Sequence, residues 1–124
     1  MVILFAAGNS NDDTDRDNYV SSEFVIGVAA STNFDTRAGY SRFGSAVSIS
    51  APSSGGSLGI TTTDLSGAGG YSSGNFTGSF GGTSSACPLA AGIAALWLLA
   101  RRARRSPASG RALRGRPGAM LPPP

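Results

Sequence analysis

The chain has 124 residues, 40% of them apolar, which fits one small globular domain or part of a larger one. Residues 1–100 carry three arginines and seven acidic residues, a net charge of −4, whereas residues 101–124 carry seven arginines and no acid. A domain that binds nucleic acid carries its arginines on the surface of the folded part, whereas most arginines here lie beyond residue 100. No nucleic-acid partner is therefore expected. The single cysteine, Cys87, excludes an intrachain disulfide, and the absence of histidine excludes a histidine base within this chain.

Three short apolar runs predict strands that are buried on both faces. Val2–Ala7 ends at Gly8-Asn9, Phe24–Ala30 is a second run, and Val47–Ser50 is stopped by Ala51-Pro52. The first run lacks the charged segment of a signal peptide, so it is interpreted as a strand and no signal peptide is predicted in this chain. Residues 11–18 are predicted to form an acidic, polar loop.

A hairpin and a helix are predicted next. Residues 53–82 are rich in Gly, Ser and Thr, with a hairpin expected around Ile60–Thr63 and Phe76–Phe80. Ser85–Ala100 has no breaker after Pro88, which predicts one helix over roughly 84–100. The helix is apolar nearly all round, which predicts burial. The alternative is a membrane span, but 15 apolar residues fall short of the roughly 20 required, so no membrane partner is expected.

From residue 101 the composition changes to Arg, Pro, Gly and Ala without any acid. This composition predicts a disordered basic tail over 101–124, following a domain part over 1–100. Arginine carries every positive charge in the chain, which fits a GC-rich coding sequence read out of frame. The tail is therefore interpreted either as a frameshift product or as a solvated basic linker.

The segment from Gly81 to Gly92, GGTSSACPLAAG, carries the clearest chemical signal. A glycine-rich loop delivers Ser84 to the first turn of the predicted helix. Unpaired N–H groups and a partial positive charge at a helix N-terminus favour an anion that forms beside such a serine. The alternative is an ordinary Ser/Thr cap, and spacing alone does not decide between the two.

This segment resembles the nucleophile signature of the subtilase family, Gly-Thr-Ser-x-Ala-x-Pro-x-x-x-Gly, and the resemblance implies that Ser84 is the nucleophile. Phe5-Ala6-Ala7-Gly8-Asn9 resembles the turn whose asparagine donates to the oxyanion. It implies that role for Asn9 and substrate contacts for Ala7 and Gly8. The implied fold is α/β, a partial subtilisin-like three-layer sandwich with a mostly parallel sheet, truncated at its N-terminal side.

The acidic loop resembles that of the kexin-like branch of the family, in which the pattern is Asp-x-Asp-Gly-Tyr. The resemblance implies that Asp17 lines the pocket for a basic P1 side chain, where a carboxylate and a guanidinium can pair. It also implies that Asp12, Asp13 or Asp15 supplies oxygen ligands to a structural calcium ion. The chemistry itself needs no cofactor. The alternative is a solvated acidic loop.

The implied function is that of a secreted serine endopeptidase, which hydrolyses a polypeptide substrate through an acyl-enzyme on Ser84. That mechanism needs a histidine base and an orienting aspartate. In subtilases both precede the oxyanion asparagine, so they are expected upstream of Met1, and the isolated chain is expected to be inactive. Missing strands would leave a sheet edge and an apolar face exposed. The alternatives are an inactive remnant, an interaction fragment or a small membrane-anchored protein.

Overall fold

The computed structural model describes residues 1–16 and 19–105. Two compact units divide the chain, Met1–Ala94 and Ala95–Pro124. In chain order the elements are strand β1 at Leu4–Ala6, a 3-10 turn at Thr14–Arg16, strands β2 at Ile26–Ser31, β3 at Val47–Pro52, β4 at Ile60–Thr63 and β5 at Phe76–Phe80, and helix α1 at Thr83–Arg105.

A parallel sheet of order β1-β2-β3 forms the centre of the first unit. The three predicted strands are confirmed, although β3 continues through Ala51 and Pro52 instead of stopping before them. Their predicted burial on both faces holds only for β2 and is wrong for β1 and β3, where Phe5 and Ile49 are 40% and 42% exposed. Pro52 is tolerated because β3 is an edge strand within the described residues, so its missing N–H breaks no ladder bond. Ser53 resumes the pairing by donating its N–H to the Ser31 carbonyl at 2.8 Å.

The core lies between one face of this sheet and the first turns of α1. Val28, Ala30 and Ala51 of the strands pack with Ala86 and Ala90 of the helix, and all five are at least 95% buried. Small residues on both sides let the helix backbone approach the sheet closely. This packing brings the start of α1 over the ends of the strands, where the candidate site forms.

The opposite face of the sheet is only partly covered, since Ala29 of β2 is buried whereas Ser50 of β3 is exposed. Ala29, Ser31, Val47 and Ser50 line a cavity of about 520 Å³ there, together with the loop that follows β2. Parallel strands are normally covered on both faces. Within the described part of the chain, α1 covers only one of them.

Helix α1 differs from its prediction in burial and in length. Its buried residues are confined to the first two turns, namely Thr83, Ser85, Ala86 and Ala90. The predicted burial of the whole helix is therefore wrong for this chain, because nothing in the described residues covers Ile93 or Leu96, which are 69% and 68% exposed. The expectation of an exposed apolar face is confirmed. By length and composition alone, this one helix of the described residues is long and apolar enough to cross a membrane.

The end of α1 bears on the predicted tail. The helix continues to Arg105, five residues beyond the predicted end at 100, because Arg and Ala are good helix formers. Residues 106–124 lie outside the described residues. Beyond Arg105, the nature of the predicted tail therefore stays a prediction.

The predicted hairpin is confirmed, and it leads directly into the candidate site. β4 and β5 pair antiparallel, with Ile60 opposite Phe80 and Thr63 opposite Phe76. The Asp64 carboxylate accepts hydrogen bonds from the backbone N–H groups of Leu65 and Ser72, at 2.8 and 2.9 Å, which closes the long turn. β5 ends at Phe80, so only two residues separate it from the first residue of α1.

Replacing Gly27 in β2 with alanine is expected to destabilise the first unit. A Cβ atom there would lie 2.3 Å from the Ala46 carbonyl oxygen and 2.9 Å from Val20 Cγ1. Overpacking of this kind costs about 1–3 kcal/mol. The free energy of unfolding, measured by urea denaturation, is expected to fall by that amount.

Gly39→Ala is the matched control, because a Cβ atom at Gly39 would meet nothing within 4 Å. Its unfolding free energy is expected to stay within about 0.5 kcal/mol of the parent, as is usual for surface changes. Equal stabilities for the two variants would contradict the close approach of β2 to Ala46.

Candidate active site

Two loops that are distant in sequence meet at the start of α1. The turn after β1 contains Gly8 and Asn9, and the helix begins at Thr83. The Gly8 N–H donates to Thr83 Oγ1 at 3.1 Å, and the Thr83 N–H donates to Asn9 Oδ1 at 2.9 Å. The Thr83 hydroxyl donates to the same Asn9 oxygen at 3.0 Å. The structure therefore brings Asn9 and Ser84, the two predicted catalytic residues, onto adjoining segments.

These bonds orient the side-chain amide of Asn9. A backbone N–H can only donate, so the atom of Asn9 that faces Thr83 must be the oxygen. The amide nitrogen Nδ2 makes no hydrogen bond within the described residues, and Asn9 is exposed. Asn9 therefore keeps its N–H donors available to a ligand.

Gly82 makes room for this arrangement. Its φ is +80°, in the left-handed region that favours glycine, and a Cβ atom there would lie 3.2 Å from Asn9 Nδ2. The glycine before Thr83 thus permits both the turn into the helix and the close approach of the Asn9 amide.

Ser84 is exposed and is the second residue of α1. Its side-chain hydroxyl makes no hydrogen bond within the described part of the chain. It therefore presents its oxygen to solvent at the end of the helix where unpaired N–H groups give a partial positive charge. An anion that formed beside Ser84 would lie at the end of the helix that favours negative charge.

A cluster of hydroxyl groups holds the loop before Ser84, and sequence reasoning missed it. Ser53 donates to the Gly82 carbonyl at 2.8 Å, and its oxygen lies 2.7 Å from that of Ser85. The Gly82 N–H donates to the Tyr40 hydroxyl at 3.2 Å. That hydroxyl lies 2.9 Å from Ser53 Oγ and 3.0 Å from the Ser54 carbonyl oxygen, and it can donate its one proton to only one of them at a time.

No signal in the sequence separates these hydroxyl residues from their neighbours. Serine and threonine are frequent throughout 53–85, and only tertiary contact shows that Ser53 and Ser85 are buried. This cluster forms hydrogen bonds with both the N–H and the carbonyl of Gly82. It therefore restrains the conformation of the loop that precedes Ser84.

Cys87, one turn after Ser84, is a weaker nucleophile candidate. It is half-buried, and burial raises the pKa of its thiol. A raised pKa keeps the sulfur protonated near neutral pH, and the thiolate is the reactive form. Cys87 is therefore the less reactive of the two side chains at neutral pH by this criterion, and the role of Ser84 stays a prediction.

The predicted substrate contacts, Ala7 and Gly8, adjoin Asn9. Ala7 is fully buried, and its N–H donates to the Val28 carbonyl at 2.9 Å. The Gly8 N–H is already donated to Thr83, and the Gly8 carbonyl accepts from the Arg42 N–H at 3.0 Å. The N–H groups of both residues thus serve the fold, and their role with substrate stays a prediction.

The acidic residues expected to hold calcium make other contacts instead. Asp12 forms an ion pair with Arg42 at 2.6 Å, and the Ser10 hydrogen bond, with the Arg42 charge, holds the pKa of Asp12 below its usual value. Asp13 accepts from the Asp15 N–H at 2.9 Å, and Asp15 accepts from the Ser45 hydroxyl at 2.8 Å.

Among residues 1–16 and 19–105, no three histidine, cysteine, aspartate or glutamate side chains form a group that could hold a metal ion. Calcium needs several converging oxygen ligands, so Asp12, Asp13 and Asp15 as placed here do not fit it. Asp17, the predicted P1-binding residue, lies outside the described residues.

Comparison with known proteins identifies the family. The model of the subtilase family matches residues 1–114. The chain belongs to the subtilase family. The family match extends beyond residue 100, where the sequence predicted the end of the domain part.

Two relatives among the curated proteins carry protease names. A "Calcium-dependent protease" of Nostoc sp. is 54% identical over 110 residues, covering 78% of this chain and 17% of the relative. An "Extracellular protease" of Xanthomonas campestris pv. campestris is 36% identical over 94 residues, covering 76% of this chain and 15% of the relative. The chain thus spans less than a fifth of the length of these subtilase relatives.

A solved protease of Pseudoalteromonas arctica superposes with a TM-score of 0.61 at 33% identity, covering 77% of this chain and 30% of that one. This likeness confirms the predicted fold class, a partial subtilisin-like α/β arrangement with a parallel sheet. The subtilase assignment made from the Ser84 and Asn9 segments is likewise confirmed.

Thr83→Val is expected to destabilise the first unit, because it removes the hydroxyl that joins Gly8 to Asn9 while keeping the side-chain shape. The Gly8 N–H then loses its partner, which costs about 1–3 kcal/mol. Urea denaturation measures the loss.

Ser84→Ala is the control for this change, since the Ser84 hydroxyl is exposed and makes no hydrogen bond in the described residues. Its stability is expected to stay within about 0.5 kcal/mol of the parent. If Thr83→Val were as stable as Ser84→Ala, the Thr83 hydroxyl would not be the link between the two loops.

Proposed function

We propose that this chain carries the nucleophile and the oxyanion donor of a serine endopeptidase, with Ser84 and Asn9 in those roles. The observation that supports this proposal is the Thr83 link, which turns the oxygen of Asn9 toward the residue before Ser84 and leaves the Asn9 N–H donors without a hydrogen bond in the described residues. A polypeptide is the proposed substrate.

In the proposed reaction, Ser84 Oγ attacks the carbonyl carbon of a peptide bond while a base accepts the serine proton. The carbonyl oxygen becomes an oxyanion, and Asn9 Nδ2–H together with the N–H groups at the start of α1 stabilises it. Donors that are already oriented need no rearrangement as the charge develops, which lowers the barrier to reaction. The amine then leaves with a proton, and water hydrolyses the acyl-enzyme on Ser84.

The base is the part that this sequence does not contain, because it has no histidine. A serine hydroxyl without a base is a weak nucleophile at neutral pH. Loss of the histidine alone costs about 10⁶ in kcat, a figure measured on subtilisin itself. The isolated 124-residue chain is therefore proposed to be inactive, with activity arising only where another polypeptide segment supplies the base.

Two further proposals concern the substrate preference of the protease and its location outside the cell. Asp17 is proposed to face a basic P1 side chain, on the resemblance of its loop to the kexin-like branch. Secretion is supported by the name of the Xanthomonas relative, "Extracellular protease". A non-catalytic remnant or interaction fragment is the second candidate, and the observation that favours it is the same missing histidine.

A chimaera tests the proposal. Residues 1–105 of this chain replace the matching segment of the Nostoc protease, whose preceding segments stay in place. A fluorophosphonate probe is expected to label the chimaera on Ser84, because that assembly unites the nucleophile with a base. The isolated chain is expected to show no more labelling than its own Ser84→Ala variant.

Two variants of the folded chimaera complete the test. Ser84→Ala is expected to abolish labelling, and Asn9→Ala to lower kcat by about 10²–10³, a range measured on subtilisin itself. A folded chimaera that is unlabelled, or labelled at another residue, would favour the remnant.

Calcium gives a separate prediction. The name of the Nostoc relative supports a calcium requirement in a complete protease, whereas the contacts of Asp12, Asp13 and Asp15 do not supply a site. A ligand that binds only the folded state raises the melting temperature. Adding calcium to this chain, compared with adding a chelator, is therefore expected to leave the Tm unchanged. A rise in Tm that Asp13→Asn abolishes would show that these aspartates do bind calcium.

A further inference from the structure

The peptide group between Gly82 and Thr83 is held at both of its ends. Its N–H belongs to Thr83 and donates to Asn9 Oδ1 at 2.9 Å. Its carbonyl belongs to Gly82 and accepts from the Ser53 hydroxyl at 2.8 Å. Because a peptide group is planar, its N–H and its carbonyl turn together. A contact that fixes the Gly82 carbonyl therefore also fixes the direction in which the Thr83 N–H meets Asn9.

Ser85 offers a second hydroxyl to the same carbonyl. Ser85 Oγ lies 3.0 Å from the Gly82 oxygen and 2.7 Å from Ser53 Oγ, and the Ser85 N–H donates to the Gly82 oxygen at 3.0 Å. A carbonyl oxygen has two lone pairs, so it accepts from the Ser85 N–H and from one hydroxyl at a time. Whichever serine donates to the carbonyl, the other can donate to its neighbour's oxygen. The two hydroxyls are therefore interchangeable donors to one acceptor.

Gly82 needs these contacts because it has little restraint of its own. It lacks a Cβ atom, and its φ is +80°. Ser53 and Ser85 are only 4% and 2% exposed, so water does not readily take the place of a missing hydroxyl. A hydrogen bond is also stronger in such a buried place than at the surface.

We propose that Ser53 and Ser85 are positioning residues for the oxyanion donor, and that they act on Asn9 through the Gly82–Thr83 peptide group. This inference rests on the proposed function of Asn9. Neither serine contacts the reacting atoms in this arrangement. They hold the peptide group from one side so that its N–H keeps the Asn9 oxygen turned inward, which leaves the Asn9 N–H donors facing outward.

Loss of both hydroxyls removes this restraint. The carbonyl of Gly82 then keeps only the Ser85 N–H, and the peptide group can tilt away from Asn9. The Asn9 amide can turn over as a result, which would present its oxygen to a developing oxyanion in place of its N–H donors. The Thr83 hydroxyl still donates to Asn9 Oδ1, so the expected loss of orientation is partial.

The rival role for the two serines is structural alone. Buried hydroxyl groups that satisfy the carbonyl before a helix stabilise the fold whether or not Asn9 has a function. That role predicts a general loss of stability when the serines are replaced. It predicts no particular effect on the Thr83 N–H or on the Asn9 amide.

The first test measures hydrogen exchange and side-chain motion by NMR in the full 124-residue chain. Ser53→Ala with Ser85→Ala is expected to speed exchange of the Thr83 amide about tenfold relative to the Ala7 amide. Ala7 donates to the Val28 carbonyl, so it reports any general loss of stability. The heteronuclear NOE of the Asn9 side-chain amide is expected to fall.

Ser48→Ala with Ser50→Ala is the matched control. Both serines lie in β3, both are exposed, and their side chains form no hydrogen bond within the part of the chain that the structure describes. This pair removes the same two hydroxyl groups from the same region. It is expected to leave the Thr83 exchange ratio and the Asn9 signals unchanged.

The second test measures kinetics in the chimaera of residues 1–105 with the Nostoc protease. The Ser53 and Ser85 pair of changes is expected to lower kcat about tenfold with KM unchanged, because an oriented donor acts on the charge that develops in the transition state. Each change alone is expected to cost about threefold or less, since the other hydroxyl still serves Gly82. In a chimaera that already carries Asn9→Ala, the pair is expected to cost less than about twofold, because no donor remains to be oriented.

Two results would overturn the proposal. One is a Thr83 exchange rate that changes no more than that of Ala7. The other is an equal loss of kcat with and without Asn9, which would show that the serines act elsewhere. A parent chimaera that is folded but not labelled on Ser84 would contradict the proposed function instead. The exchange ratio of Thr83 would then decide alone whether the serines orient Asn9.

Discussion

The link from Thr83 to the turn at Gly8 and Asn9 is the interaction on which the candidate site depends. It joins segments 75 residues apart, and it acts through both the backbone and the side chain of one residue. The alanine-lined core sets the distance between the strand ends and the helix, but a core is non-directional. Hydrogen bonds add direction, so they decide which atom of Asn9 faces outward.

The cluster of hydroxyl groups around Gly82 supports this link. Gly82 has a left-handed backbone, which without restraint would sample several conformations. Ser53 donates to the Gly82 carbonyl, and the Tyr40 hydroxyl accepts from the Gly82 N–H. The Ser85 hydroxyl lies within hydrogen-bond distance of Ser53 Oγ at the start of the helix. Every buried side-chain oxygen and nitrogen in the described residues has a partner, so this polar network specifies one geometry without an unpaired group.

The strand positions were predictable because short apolar runs bounded by Gly, Asn or Pro have few other interpretations. The burial of α1 was not predictable, because burial depends on what packs against an element. The helix has an apolar sequence, yet only its first two turns contain buried residues. The motifs that contain Ser84 and Asn9 predict their catalytic roles, which stay predictions. Their bridge through Thr83 and the partners of Ser53 depend on tertiary contact, which no local pattern encodes.

Positioning of the proposed nucleophile, Ser84, and its activation are physically separable in this chain. The groups that orient Asn9 and the start of α1 all lie within Met1–Ala94, and their hydrogen bonds exist whether or not a base is nearby. Activation needs a proton acceptor that the sequence lacks. Changes at Thr83 therefore act on the stability of the chain itself, whereas the chemistry of Ser84 becomes measurable only in an assembly that contains a base. Oriented donors without an activated nucleophile can bind an oxyanion, but they cannot form one.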